Sequence, residues 1–115
     1  MKVIYIAGPY RARTEWGVAE NIHRAELAAI ELWKKGWAVF CPHKNTAFFG
    51  GACNDRVWLA GDLEILFRCD AICLIDGWER SPGCMAEKKE ADRIGLKVYF
   101  GTEAVPGMAE GGKQW

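Results

Sequence analysis

A three-layer α/β fold, one parallel sheet between helices, is what the sequence predicts, and three observations carry the prediction. Short, continuous apolar runs of the kind buried on both faces alternate along the chain with segments of helical periodicity. Strands that alternate with helices imply parallel pairing through right-handed crossovers. At 115 residues the chain fits one domain with one core, and no repeat or linker divides it.

The first run, "KVIYIAG", is closed by Gly8-Pro9 and reads as a strand. From Thr14 to Lys35 a helix is predicted, because Val18, Ile22, Ala25, Ala29 and Leu32 recur at steps of three and four and Gly36 supplies a stop. "WAVFCP" is the second strand. His43 to Asn54 then form a Gly- and aromatic-containing loop, long enough to suggest function. A second helix is expected from about Asp55 to Arg68, a third strand in "AICLIDGW", a third helix from Pro82 to Ile94, and a fourth strand in "KVYF". The sheet is expected to be Rossmann-like or flavodoxin-like, in strand order 2-1-3-4. Residues 1–101 make this domain, and residues 102–115, rich in glycine and poor in apolar residues, are expected to be an irregular tail.

Such sheets bind ligands beyond the carboxyl ends of their strands, which directs attention to Gly8–Arg13, Pro42–Asn45, Asp76–Gly83 and Gly101. Lysine plus arginine and aspartate plus glutamate both number 15, so there is no basic field for a nucleic-acid polymer, and a small ligand suits the chain better. No apolar run reaches the length of a membrane span or of a signal-peptide core, and a cytoplasmic protein without membrane partners is expected. Five cysteines without a secretory signal are expected to stay reduced. Cys41, His43 and Cys53 lack the paired spacing of a zinc site, and ordinary buried residues are the better account.

Two carboxylates stand out by position. On the third predicted helix Glu87 shares a face with Cys84, Ala91 and Ile94, while Lys88, Lys89, Asp92 and Arg93 cover the other sides. Ser81 is a natural N-cap and Pro82 a natural first residue, so the helix start is expected to keep Glu87 ionised, as a nucleophile must be. On the second helix, Asp62 has Trp58, Leu59, Ile65 and Leu66 at contact spacing. Burial among them would raise its pKa and suit it to general acid work. One ionised and one protonated carboxyl make the arrangement that cleaves glycosidic bonds through a covalent sugar intermediate. The plainer alternatives are a surface glutamate and a helix-edge aspartate beside Gly61.

Around these, Gly8, Pro9, Tyr10 and Arg11 form a turn whose N–H groups and guanidinium could hold an anion. Trp78 could stack on a base or pack in the core, and His43 could touch a ligand or cap its loop. There is no GxGxxG or GxxxxGK[ST] pattern, and neither an organic cofactor nor a metal is expected.

Taken in order, "IYIAGPY", "PHKNT", "GDLEILFRCDA" and "SPGCMAE" resemble the nucleoside 2-deoxyribosyltransferase superfamily over about residues 2–100, and in particular its small phage and bacterial members. Ser81, Gly83 and Glu87 match the serine-x-glycine-x-x-x-glutamate pattern of the related 2'-deoxynucleoside 5'-monophosphate N-hydrolases. The resemblance implies that Glu87 attacks the anomeric carbon, that Asp62 protonates the departing base and that the Tyr5 hydroxyl orients the nucleophile. Serine at 81, where the transferases carry a sugar-contacting aspartate, would tolerate a nearby phosphate. The characterised transferases borrow an asparagine from a neighbouring subunit's C-terminal segment. The tail here has none, so hydrolysis is the simpler expectation.

The function expected is therefore cleavage of the N-glycosidic bond of a small nucleoside or nucleotide by a homo-oligomeric enzyme. The alternatives are an inactive nucleotide-binding module and a structural subunit whose Phe48, Phe49, Trp58 and Trp115 serve oligomer contacts.

Overall fold

A computed structural model, which describes residues 1–108, places four parallel strands in the order β2-β1-β3-β4. The strands are β1 (Val3–Ala7), β2 (Ala38–Phe40), β3 (Ala71–Leu74) and β4 (Lys97–Phe100). Register is continuous across the centre: Ile4 pairs Val39 on one side and Ala71 on the other, and Cys73 pairs Tyr99. All four residues of β3 are buried, as a central strand covered on both faces requires. The expected α/β class and strand order are both observed.

Helix α1 (Glu15–Lys34) begins at Thr14, whose side chain accepts from the Gly17 N–H, and it buries Ala25, Ala28, Ala29 and Leu32. These pack on Ile4, Ile6, Ala71 and Cys73, the side chains on one face of the sheet. Period-two alternation sends Tyr5, Ala7, Ile72 and Leu74 to the other face. There they meet Leu66 of α3 (Asp55–Leu66) and Cys84 and Ala91 of α4 (Pro82–Ile94). Ile94, expected on the same inward stripe, is 37% exposed at the end of its helix.

Three local readings change. "WAVFCP" and "AICLIDGW" are strands only in part, because Pro42 starts a short helix, α2 (Pro42–Asn45), and the chain turns after Leu74 into a 3-10 turn at Trp78–Arg80. Proline cannot donate to a ladder but suits a first helical position. The tail expected to be irregular from residue 102 holds a 3-10 turn at Thr102–Ala104 and then docks. The Lys35 ammonium donates to the carbonyls of Thr102 and Val105 at 2.7 and 2.9 Å, the Trp37 indole donates to the carbonyl of Pro106 at 2.8 Å, and Val105 is buried. Trp115 lies outside the described residues.

Candidate active site

Helix α3 makes little contact with the sheet. Only Leu66, at its C-terminal end, is buried, while Val57 and Leu59 are about half exposed. Its N-terminal half therefore forms one wall of a cavity of about 490 Å³ over the carboxyl ends of β1, β2 and β3. That volume suits a nucleoside-sized ligand.

Ser81 caps α4, its hydroxyl accepting from the Cys84 N–H at 3.2 Å, and Pro82 is the first helical residue. This start sets the phase that buries Cys84 and Ala91 and turns Glu87 into the cavity. The Tyr5 hydroxyl, reaching up from β1, donates a hydrogen bond to Glu87 Oε2. Tyr5 is fully buried, and burial together with the Glu87 charge holds its hydroxyl far above the usual phenol range, so it acts as a donor only.

Asp62 faces the same cavity from α3. Burial pushes its pKa up to about 6, which agrees with the expected direction. Glu87 departs from expectation. Burial, opposed by the Tyr5 hydrogen bond and reinforced by the Asp62 charge, pushes its pKa up to about 7. Glu87 is the sixth residue of α4, beyond the first turn in which the helix dipole acts, so desolvation wins. In the free site burial therefore raises both carboxyls toward neutrality, and the coupled pair binds protons there more readily than exposed carboxylates would.

The rest of the expected set divides. Gly8, Pro9, Tyr10, Arg11, His43, Ser81 and Gly83 all line the cavity. Gly8 is confined there, since a Cβ would lie 2.5 Å from the Ile75 side chain. Arg11 is paired with Asp55 at the start of α3, so its charge is already compensated. His43 is buried in α2, and its Nε2–H donates to the Pro9 carbonyl at 2.9 Å. Burial lowers its pKa and keeps it neutral, so it pins the turn after β1 to the turn after β2. Trp78 is not at the cavity. Its ring packs beside the core, 5.5 Å from that of Phe100, because the 3-10 turn carries it under the sheet edge. Of the two alternatives for Trp78, the structure shows the packing one, beside the core and Phe100.

Sequence reasoning missed Asn21, Arg24, Asp55 and Trp58 in the cavity wall, while Arg80 falls in the Asp76–Gly83 segment that it marked. Asn21 donates to the Tyr10 carbonyl at 3.1 Å, a polar residue on the inner side of α1 that periodicity could have flagged. Phe48, at φ +66 and 96% exposed, projects from the loop before α3, while Phe49 packs on Trp58. Among the described residues no three metal-ligating side chains converge, and no helix is long and apolar enough to cross a membrane.

Fold and site together define a parallel α/β domain with two inward carboxyls beyond the carboxyl edge of its sheet and a buried tyrosine of β1 bonded to one of them. The chain belongs to the DUF4406 family, a domain of unknown function, whose family model matches residues 2–100. Among solved structures it is similar to a 2-deoxyribosyltransferase from the psychrotolerant bacterium Bacillus psychrosaccharolyticus. The TM-score is 0.66 at 23% identity, over 85% of this chain and 70% of the other, and the two share a fold. No curated protein matches the chain.

Proposed function

We propose that the chain cleaves the N-glycosidic bond of a (deoxy)nucleoside or nucleoside monophosphate through a glycosyl ester on Glu87. The single observation that carries this reading is the Tyr5 hydroxyl donated to Glu87 on the wall of a cavity that also holds Asp62. A phenol buried in a core without function would not need an inward carboxylate as its acceptor, because burying that carboxyl raises its pKa.

In the reacting form Glu87 is ionised and Asp62 protonated. A Glu87 oxygen bonds the anomeric carbon as the C–N bond breaks, and the electron pair goes to the base nitrogen, which takes the Asp62 proton. Asp62, now a carboxylate, takes a proton from water as the water oxygen attacks the anomeric carbon and frees Glu87. A second base replacing water would make the same site a transferase. Because burial raises both carboxyls toward neutrality and the reacting form carries one proton, activity follows a bell-shaped pH profile centred near neutrality. The solved neighbour is described as a biocatalyst for nucleoside synthesis, the same class of bond. Equal numbers of acidic and basic residues favour a small substrate over a nucleic-acid polymer.

The test is incubation with a panel of nucleosides and monophosphates at about pH 6.5, with free base followed by chromatography. Base release by the wild type and none by Glu87→Ala is the expected result. Binding without release would leave a nucleotide-binding module instead.

A further inference from the structure

From Phe48 to Val57, through the loop before α3 and into that helix's first turn, every residue is exposed. Thr46 and Gly50 of this loop nevertheless line the cavity, as do Asp55 and Trp58 of the helix. The loop's backbone hydrogen bonds are local: the N–H groups of Phe49 and Ala52 donate to the carbonyls of Thr46 and Phe49 at 3.1 and 3.0 Å, and none among the described residues reaches the sheet or α1. Two side-chain contacts tie the segment down further, the Phe49 ring 5.9 Å from that of Trp58 and the exposed Arg11–Asp55 ion pair. A segment with so few buried contacts opens and recloses at low cost, and an exposed ion pair adds little to hold it.

Phe48 goes against two ordinary preferences at once. Its φ lies in the left-handed region that a bulky side chain rarely adopts, and its ring is almost wholly in water although Gly50, two residues on, is part of the cavity wall. Gly50 and Gly51 have no atom within 4 Å of where a Cβ would be, and φ at Gly51 is +86. Two adjacent glycines in open space let the chain turn without a clash. The cavity they border holds Asp62 and Glu87, whose chemistry gains from the exclusion of water once a ligand is in place.

We propose that residues 46–54 are a lid, which a ligand bound in the cavity draws inward about Gly50 and Gly51 so that the Phe48 ring covers the ligand's open side. Closure takes an aromatic ring out of water and lets the Phe48 φ return to the ordinary negative range. The ligand thus interacts differently with the open and closed states, as any ligand that shifts such an equilibrium must. The Arg11–Asp55 pair holds the start of α3 to the turn after β1 and confines the motion to the loop. The proposal rests on the cavity and not on which bond is cleaved in it.

The experiment measures amide hydrogen exchange of the full chain by mass spectrometry, with and without a saturating 2'-deoxynucleoside or its 5'-monophosphate, alongside binding by calorimetry. Exchange across residues 46–54 should slow about tenfold or more on binding. Phe48→Ala should weaken binding about tenfold, the scale of burying one aromatic ring, and lose most of that protection, while Phe48→Tyr keeps both. Because Phe48 is exposed, the alanine variant should unfold at the wild-type temperature. Trp16→Ala, which removes an exposed aromatic of α1 outside the cavity wall, should leave binding and protection unchanged. Exchange across the loop that ignores a bound ligand overturns the proposal, as does Phe48→Ala binding as tightly as the wild type. Either result together with base release would leave the glycosidic reading standing. Ligand-dependent protection without base release would keep the lid and remove that reading, and failure of both ligands to bind would remove both.

Discussion

The two faces of the sheet are built to different ends. On the α1 face Ile4, Ile6, Ala25, Leu32, Ala71 and Cys73 are buried with no charged side chain among them, and the segment 102–108 closes the end of the layer. On the α3–α4 face the same strands contribute Tyr5, Ile72 and Leu74, yet α3 buries only Leu66 and leaves a cavity where Asp62 and Glu87 meet water. Strand alternation sends every other residue to each face, so one strand serves both. The first face stabilises the fold. The second uses that stability to hold two carboxyls at pKa values that cost folding energy when they ionise.

The largest effect expected is on the second face. Asp62→Asn should lower base release about 10²–10⁴-fold on substrates with poor leaving bases, as loss of a general acid does, and much less on activated ones. It should also remove the alkaline limb of the pH–rate profile, since no acid then remains to be lost. Equal loss on both substrate types would assign Asp62 to positioning.

On the first face, Leu32→Ala should cost about 2–5 kcal/mol in urea denaturation, because Leu32 is fully buried between α1 and the sheet. A loss below about 1 kcal/mol would erase the contrast between the faces.

The smallest effect sharpens the contrast through its sign. The Glu87 pKa rises from 4.5 to about 7 on folding, so the folded state binds the proton more tightly and wild-type stability falls as pH climbs from about 4 to about 7. Glu87→Gln cannot ionise and should be the more stable protein at pH 8, by on the order of 2 kcal/mol, with the difference vanishing at pH 4. Thermal unfolding at both pH values checks it, and a less stable variant at pH 8 would contradict the ionisation argument.

What was legible in the sequence follows the same division. Periodicity marked every strand and the three long helices, and it placed Glu87 and Asp62 inward, because amphipathic spacing reports a side chain's direction before any partner is known. It did not report distance from a helix end finely enough to show that Glu87 lies beyond the dipole's reach. Nor could it place Trp78, whose position depends on a turn after β3, or Arg24, which reaches the cavity only once α1 is packed on the sheet. The short helix at Pro42 and the docked tail rest on tertiary hydrogen bonds from His43, Lys35 and Trp37, which leave no periodic trace.

The central claim is that Glu87 forms a bond to the sugar. A slow substrate, a 2-fluoro-2-deoxy nucleoside or its 5'-monophosphate, stabilises the glycosyl ester against resolution, and intact-protein mass spectrometry at about pH 6.5 would detect it. The account predicts a mass increase equal to the fluorinated sugar, with or without its phosphate, that peptide mapping places on Glu87 and that Glu87→Ala lacks. Base release without any adduct, or at an undiminished rate in Glu87→Ala, would contradict it.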